Sequence, residues 1–255
     1  MPNSSAPPPV EAAGLAKRFG PIAAVEGVDF RVWPGEVVGL LGGNGAGKTT
    51  TMSMLMGLLT PSEGKALIFG IDADKRDPAA LARLNFSSPY VEMPGRLTVF
   101  ENLDVYARLF GVRDVKARIA TLARDLDLEP FLHRPTRTLS AGQKSRSALA
   151  KSLVNRPELL LLDEPTASLD PDTADWVRTY LERYAADTGA AILLASHNMP
   201  EVERLCGDVL MMRSGRIVDR GAPKELIARH GRANLEEVFL DIARAEARPG
   251  GEDGR

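Results

Sequence analysis

Residues 37–50 read VVGLLGGNGAGKTT, which is a short apolar run followed directly by a glycine-rich loop. The loop at 42–49 matches the pattern G-x-x-x-x-G-K-[ST], in which glycines let backbone N–H groups wrap around phosphate groups. Lys48 is expected to reach the β- and γ-phosphates of a nucleotide, and the Thr49 hydroxyl is expected to bind Mg²⁺. A glycine-rich turn that only caps a helix is the alternative, but the strand before the loop and the helix after it favour phosphate binding. The predicted nucleotide-binding residues here are Gly42, Asn44, Gly45, Ala46, Gly47, Lys48, Thr49 and Thr50.

The composition is that of an ordinary globular chain. Its 255 residues are 44% hydrophobic and 26% charged, which argues against a disordered or fibrous protein and allows one large domain or a core with an inserted subdomain. The formal net charge of −2 gives no general attraction to nucleic acid or anionic lipid, so we expect no nucleic-acid partner. No apolar stretch approaches the roughly 20 residues needed to span a bilayer. The single cysteine, Cys206, cannot form an internal disulfide and is expected to be buried.

The pattern of apolar residues around the loop indicates an α/β fold. Apolar side chains alternate between 25 and 32, a turn follows, and the run at 37–41 completes a strand–turn–strand unit. Another strand is expected at 67–69. Further along the chain, apolar runs at 159–162 and 190–195 alternate with helices, which is typical of a buried parallel sheet.

The middle of the chain, about 90–156, is predicted to be a helical insertion. Thr98 and Glu101 form the capping-box pattern T-x-x-E at a helix start, and apolar residues then recur at helical spacing until Gly111. Asp114 is expected to cap a second helix of the same kind. This helical segment separates the strand-rich parts of the chain on either side.

An acidic pair, Asp163 and Glu164, follows the apolar run at 159–162. In a parallel sheet, ligands lie beyond the carboxyl ends of the strands, so we expect this pair beside the phosphate-binding loop. Asp163 would hold Mg²⁺, and Glu164 would act as the general base that polarises an attacking water. A solvated turn is the alternative, but the upstream loop favours the functional interpretation.

Residues 139–143 read LSAGQ and precede a predicted helix. Ser140 is a good helix N-cap, so the plain interpretation is a capped helix. A serine hydroxyl, a glycine and free N–H groups at a helix start also suit a second anion site. LSAGQ, lying between the phosphate-binding loop and the acidic pair, resembles the signature motif of ATP-binding cassette (ABC) ATPases, whose usual form is LSGGQ.

Other motifs extend the resemblance to the ABC family. The chain continues from the acidic pair to Asp170, as in the family's subunit-contact loop, and His197 follows an apolar run, as the family's switch histidine does. Phe19 stands where the family places an aromatic ring against adenine. By residue type alone, His197 would be a structural hydrogen-bonding residue and Phe19 a core residue. The resemblance implies that the nucleotide is contacted by Phe19, Ser140, Gly142, Gln143 and Asp170, and that the catalytic residues are Glu164, His197 and Lys48.

The resemblance covers about residues 10–243 and implies the fold class, which is α/β. It implies a RecA-like P-loop NTPase core, an antiparallel β layer and an inserted helical subdomain, and the ends at 1–9 and 244–255 are expected to be disordered tails. The implied cofactors are ATP and Mg²⁺. The implied assembly is a head-to-tail homodimer, or a dimer with a related ATPase subunit, in which the signature of one chain caps the ATP of the other.

One family motif departs from the usual pattern. ABC ATPases have a glutamine just before the helical insertion, whereas residues 85–90 read NFSSPY. Either Ser88 or Pro89 takes that position. A serine hydroxyl could bind Mg²⁺ directly or through water and a proline could not, so Ser88 is the candidate metal ligand. The second signature residue is Ala141 in place of glycine, which is a milder change.

The leading functional interpretation is the ATPase subunit of a membrane transporter, bound to the cytoplasmic face of the cell membrane through separate transmembrane permease subunits. The stretches at 97–111 and 235–240 resemble ATPases of export systems for drugs, lipids or polysaccharides. The alternative is a non-transport ABC ATPase that acts on nucleic acid or ribosomes. Such proteins insert a long coiled coil or carry two cassettes, and this sequence has neither feature. A P-loop kinase or small GTPase would not explain LSAGQ.

Overall fold

The computed structural model describes residues 6–88, 92–167 and 169–245, in which ten strands and nine α-helices lie. The strands are β1 Val10–Phe19, β2 Ile22–Val32, β3 Val37–Leu41, β4 Glu63–Ile68, β5 Ile71–Asp72, β6 Leu84–Ser87, β7 Leu159–Asp163, β8 Ala191–Ser196, β9 Asp208–Arg213 and β10 Arg216–Gly221. The helices are α1 Lys48–Leu55, α2 Pro78–Leu81, α3 Val99–Leu109, α4 Val115–Asp125, α5 Ala141–Leu153, α6 Pro171–Thr188, α7 Met199–Leu205, α8 Pro223–His230 and α9 Leu235–Ala245. None of these helices combines the length and the apolar character needed to cross a membrane.

The central sheet has the predicted parallel arrangement. Its strand order is β10-β9-β3-β8-β7-β6, and all neighbours are parallel except the antiparallel pair β9 and β10. Strands β7 and β8 are buried along their whole length because other elements cover both faces. The apolar runs at 159–162 and 190–195 are therefore confirmed as interior strands, the second of which begins at Ala191.

A second, antiparallel sheet with the order β2-β1-β4-β5 packs on one face of the central sheet. In β2, Val28, Phe30 and Val32 are buried while Asp29 and Arg31 are exposed, which is the alternation of a strand with one solvated face. The buried side chains share a core with α1 and with one face of β3, β7 and β8. The antiparallel β layer is therefore confirmed.

Helices cover the opposite face of the central sheet. Successive residues of β7 point to opposite faces, so Leu159 and Leu161 join the core beneath the antiparallel sheet, while Leu160 and Leu162 pack among helices α3 to α9. Helices therefore cover one face of the central sheet, and the antiparallel sheet with α1 covers the other. The carboxyl ends of β3, β7 and β8 are left to carry the loops of the candidate site.

The helical segment between β6 and β7 begins as the sequence predicts. The Glu101 N–H donates to Oγ1 of Thr98 at 3.1 Å, and the Thr98 N–H donates to the Glu101 carboxylate at 2.7 Å, which closes the predicted capping box. Asp114 caps α4 by accepting a hydrogen bond from the Ala117 N–H at 3.2 Å. Helix α3 then packs against both α4 and α5.

The chain ends differ in part from the expected tails. Pro8 and Pro9 are buried, and the Pro9 carbonyl accepts a hydrogen bond from the Phe69 N–H at 3.1 Å, which continues the pairing of β1 with β4. At the other end, α9 runs to Ala245, beyond the predicted boundary at 243. Residues 1–5 and 246–255 of the predicted tails lie outside the described residues.

Candidate functional site

The loop between β3 and α1 requires glycine at two positions. Gly47 has a φ of 105°, and a Cβ there would lie 2.6 Å from the carbonyl oxygen of Ala24 in β2. A Cβ at Gly42 would lie 2.5 Å from the carbonyl oxygen of Met212 in β9. Real Cβ atoms do not make contacts this short. The backbones of β2 and β9 therefore restrict both ends of the loop to glycine.

The first turn of α1 is suited to bind an anion. The N-cap residue, Gly47, has no side chain that could cap the helix, and the first backbone N–H groups of a helix have no partner within it. The Lys48 side chain is buried and lies over the loop, where Nζ donates to the carbonyl oxygens of Gly42 at 2.5 Å and Gly43 at 3.2 Å. A lysine and helix N–H groups on one glycine-dependent loop therefore fit the phosphate chain of a nucleotide.

Lys48, Asp163 and Glu164 form one electrostatic cluster. Burial lowers the pKa of Lys48, and the carboxylates of Glu164 and Asp163 oppose this effect. Burial is the main cause that raises the pKa of Asp163, and the negative charge of Glu164 raises it further. The positive charge of Lys48 lowers it. A divalent cation would reduce the repulsion between these two carboxylates, so this donor set is suited to Mg²⁺.

Strand register brings the predicted groups to one edge of the sheet. Leu41 at the end of β3 pairs with Ser196 of β8, and Ala195 of β8 pairs with Asp163 of β7. The phosphate-binding loop, the predicted general base and the predicted switch histidine come directly after these aligned positions. They therefore start from the same edge, which is where parallel sheets bind ligands.

Glu164 contacts His197 directly. Its Oε1 lies 2.6 Å from Nδ1 of His197, and the ring donates to this carboxylate when its proton is on Nδ1. The Glu164 side chain is only 13% exposed, whereas that of His197 is 61% exposed. Glu164 also has a left-handed backbone, with φ 50°, a conformation that costs about 1–3 kcal/mol in a non-glycine residue and is frequent at functional sites. Its N–H donates to the Ala195 carbonyl oxygen at 2.8 Å, which stabilises this turn.

The signature residues form a capped helix start. The Gln143 N–H donates to Oγ of Ser140 at 3.3 Å, and the Ser140 N–H donates to Oε1 of Gln143 at 3.1 Å. The plain interpretation of Ser140 as an N-cap is therefore confirmed, and Ser140 is exposed. Gly142 lies close to α6, because a Cβ there would be 3.1 Å from Oγ1 of Thr173. The start of α5 is thus an exposed helix N-terminus beside α6.

Two further predicted contact residues lie at the surface. Asp170 caps α6 by accepting hydrogen bonds from the Thr173 N–H at 3.0 Å and from the Thr173 hydroxyl at 2.7 Å. Phe19 ends β1, is 49% exposed, and has Nζ of Lys17 at 5.4 Å from its ring centroid. The core position that the residue type alone predicts for Phe19 is wrong. Its ring is exposed and can stack on a planar group.

Ser88 and Glu164 line the same cavity. Ser88 is buried directly after β6, and the cavity has a volume of about 60 Å³. Residues of β7, α5 and α6 also line it, together with Pro165. This arrangement places Ser88 near the predicted general base, whereas Pro89, the other candidate for the missing glutamine, lies outside the described residues.

Sequence reasoning missed a buried carboxylate in α7. Glu201 is fully buried, and its two oxygens accept hydrogen bonds from the hydroxyls of Thr166 at 2.7 Å and Ser196 at 2.8 Å. The pattern N-x-x-E from Asn198 to Glu201 resembles a capping box, which would assign the glutamate side chain to the helix end. Glu201 lies one helical turn before Leu205, on the apolar face of the helix. This position in the sequence could have indicated that its side chain is buried.

These features define a P-loop nucleoside triphosphatase with a RecA-like core. The glycine-dependent loop joins a central strand to a helix, the acidic pair follows β7, and helices and a second sheet cover the two faces. A family model described as ABC transporter matches residues 25–167. The chain therefore belongs to the ABC transporter family of ATP-binding proteins, and it binds and hydrolyses ATP.

Individual relatives agree with this assignment. The Nod factor export ATP-binding protein I of Ralstonia nicotianae is 36% identical over 242 residues, which cover 94% of this chain and 75% of that protein. A solved structure described as the ATP binding subunit of an ABC transporter superposes with a TM-score of 0.84 at 27% identity, covering 92% of this chain and 99% of that one. The cbiO1 protein of Clostridium perfringens, described as part of the ABC transporter complex cbiONQ, gives a TM-score of 0.78 at 28% identity, covering 92% and 96%.

Proposed function

We propose that this chain is the ATPase subunit of an export system whose membrane-spanning permease subunits are separate chains. The observation that carries the proposal is the contact between Glu164 and His197 at the sheet edge where the phosphate-binding loop begins. A general base, a lysine and helix N–H groups at one edge are suited to phosphoryl transfer to water. The relative named for Nod factor export supports the export direction.

ATP binds with its phosphates on the loop at 42–49. The backbone N–H groups of the loop and Lys48 hold the β- and γ-phosphates, and the exposed ring of Phe19 stacks on adenine. Thr49, Asp163 and Ser88 are the residues that would hold Mg²⁺, which when bound neutralises charge on the phosphates. Ser88 takes this role in place of the family's glutamine.

Glu164 is the general base for hydrolysis. Its carboxylate accepts a proton from a water molecule as the water oxygen attacks the γ-phosphorus, and the bond to the ADP oxygen breaks. His197 donates from Nδ1 to Glu164 and so fixes the direction of the carboxylate.

Two nucleotide-binding subunits work head to tail, as a homodimer or with a related ATPase subunit. The sequence contains one phosphate-binding loop and one signature motif, and Ser140 and Asp170 are exposed. Facing a second subunit, Ser140, Gly142 and the N–H groups of α5 would surround the γ-phosphate of the ATP bound there. Asp170 would lie in the contact between subunits.

We place the assembly at the cytoplasmic face of the cell membrane, where ATP is available and where permease subunits can be bound. The cbiO1 protein, a part of the complex cbiONQ, supports an arrangement with separate chains. Since the permease subunits surround the transported molecule, they would determine which molecule is exported.

Affinity purification from detergent-solubilised membranes of the native cells tests the transport assignment. A tagged chain should retain a protein with several membrane spans, and this protein should be absent when an unrelated tagged ATPase is used. Nuclease treatment and removal of ribosomes before purification should leave the recovered pair unchanged. Recovery of the chain with ribosomes or nucleic acid, and with no membrane protein, would contradict the assignment.

A further inference from the structure

The fully buried carboxylate of Glu201 joins two segments of the candidate site. Its Oε1 accepts a hydrogen bond from Thr166, in the segment that follows β7 and begins with Glu164. Its Oε2 accepts a hydrogen bond from Ser196, the last residue of β8, directly before His197. One side chain therefore connects the segment that carries the base with the segment that carries its histidine.

The hydroxyl of Ser196 has a fixed direction. It lies 2.8 Å from Oε2 of Glu201 and 3.4 Å from Oε2 of Glu164, so its single proton makes the shorter bond to Glu201. Its oxygen also accepts a hydrogen bond from the Asn198 N–H at 3.0 Å. The hydroxyl is thus bound on both sides, and the start of the segment that carries His197 is tied to α7.

The carboxylate of Glu201 depends on these hydroxyls. Within the described residues, no lysine, arginine or histidine lies within 4.0 Å of its carboxylate oxygens. Burial raises the pKa of Glu201, while the hydrogen bonds from Thr166 and Ser196, and then the charge of Arg178 in α6, act in the opposite direction. Glu164 is the other charged group that acts on it, and its charge raises the pKa of Glu201. A buried carboxylate needs such hydrogen bonds, so the cluster is sensitive to the loss of any member.

We infer that Glu201 is a positioning residue for ATP hydrolysis, which holds the segments after β7 and β8 together so that Glu164 meets His197. This inference rests on the roles proposed above for Glu164 and His197. Glu201 acts through the hydroxyls of Thr166 and Ser196 and not on the nucleotide. In the loop at 42–49, Lys48 donates to the carbonyl oxygens of Gly42 and Gly43 and not to Glu201. ATP binding should therefore be independent of Glu201.

Glu201→Gln tests the inference with little change in size. The carboxamide offers one acceptor oxygen, and its NH₂ group can only donate, so one of the two hydroxyls loses its acceptor. We expect kcat to fall by about 10- to 100-fold, as for small misplacements of catalytic groups, with the Kd for ATP unchanged. Glu182→Gln is the matched control. Glu182 of α6 accepts a hydrogen bond from Arg204 of α7 at the exposed surface, so this variant should leave kcat unchanged.

A second pair of variants probes the hydroxyl itself. Thr166→Val removes the hydroxyl at nearly constant shape and should lower kcat in the same way, whereas Thr166→Ser keeps the hydroxyl and should retain the wild-type rate. These variants leave Glu201 in place, so they test the inference even where Glu201→Gln does not fold. Combining Glu201→Gln with Thr166→Val should cost less than the product of the two single losses, because both remove one interaction.

The inference is overturned by wild-type kcat in folded Glu201→Gln and Thr166→Val. It is also overturned by a lowered melting temperature with unchanged kcat per folded protein, which is what a purely structural role predicts. A loss of ATP affinity as large as the loss of kcat would overturn it as well. Glu164→Gln, measured alongside, separates this inference from the proposed function. Normal hydrolysis in Glu164→Gln rejects the general base itself, whereas loss there with normal rates at Glu201 and Thr166 rejects only the positioning role.

Discussion

Nδ1 of His197 lies 2.6 Å from Oε1 of Glu164, although the two residues are 33 positions apart in the chain. The contact arises because β7 and β8 are adjacent and parallel, so that their carboxyl ends lie side by side. This contact therefore orients the carboxylate of the proposed base. It follows that changes at His197 should affect hydrolysis more than ATP binding.

His197→Ala should lower kcat by about 10²-fold or more, because the carboxylate of Glu164 loses the donor that orients it. Binding of MgATP, measured by titration calorimetry, should remain close to that of the wild type. His230→Ala is the matched control, since the ring of His230 contacts Asp219 at 2.7 Å and has no role in the proposed mechanism. Near-normal turnover in His197→Ala would remove this residue from the catalytic site.

Lys48→Ala should weaken nucleotide binding itself, because the ammonium group is a charge held against the phosphates. Titration calorimetry with MgATP should show a clear loss of affinity for this variant. Lys224→Ala, which changes an exposed lysine of α8, is the control and should bind as the wild type does. Equal affinities for all three proteins would reject the assignment of Lys48.

Ser88→Gln should raise the basal rate of the isolated subunit. A serine reaches less far than a glutamine, so its contact with the metal or water needs an additional bridging water, which costs about 0–2 kcal/mol in immobilisation. A change of about 1.4 kcal/mol is tenfold in rate. Ser88→Ala should lower turnover further, because it removes the hydroxyl that lines the cavity with Glu164. If neither substitution changes the MgATPase rate, Ser88 does not replace the glutamine.

Mixed dimers test whether the signature acts on the partner's nucleotide. A Ser140→Arg chain has a blocked signature, and a Lys48→Ala chain has a weakened loop, so each homodimer should be inactive. Mixing the two should restore part of the activity, because some mixed dimers contain one intact composite site. The phosphate-release rate should pass through a maximum as the mixing ratio is varied. A reproducible failure to recover any activity would count against the head-to-tail arrangement.

Only part of the candidate site follows from strong local patterns in the sequence. The phosphate-binding loop and the acidic pair each come directly after an apolar strand, and the sheet then determines where they lie. Ser140 is correctly predicted as a helix cap because caps depend on neighbouring residues only. The proposed site roles of Ser140 and Asp170 come instead from the resemblance to the ABC family. The buried network of Glu201 was missed because its partners, Thr166 and Ser196, come from two other segments and no local pattern pairs them.

The same distinction holds for the fold. The alternation in β2 and the apolar runs of β7 and β8 predicted these strands correctly. Strand β1 was not predicted, since it is rich in alanine, contains Gly14 with a positive φ of 56°, and pairs irregularly with β2. It is a strand because β2 and β4 pair with it on both sides, and such tertiary context outweighs weak local propensity.

The release of phosphate from MgATP by wild type and Glu164→Gln, together with their ATP affinities, tests the proposed chemistry most directly. The substitution removes the proton acceptor and leaves the phosphate-binding loop intact, so the variant should bind MgATP, form an ATP-dependent dimer and hydrolyse about 10²- to 10⁴-fold more slowly. Turnover near that of the wild type at equal ATP affinity would contradict the role of Glu164 and, with it, the proposed mechanism.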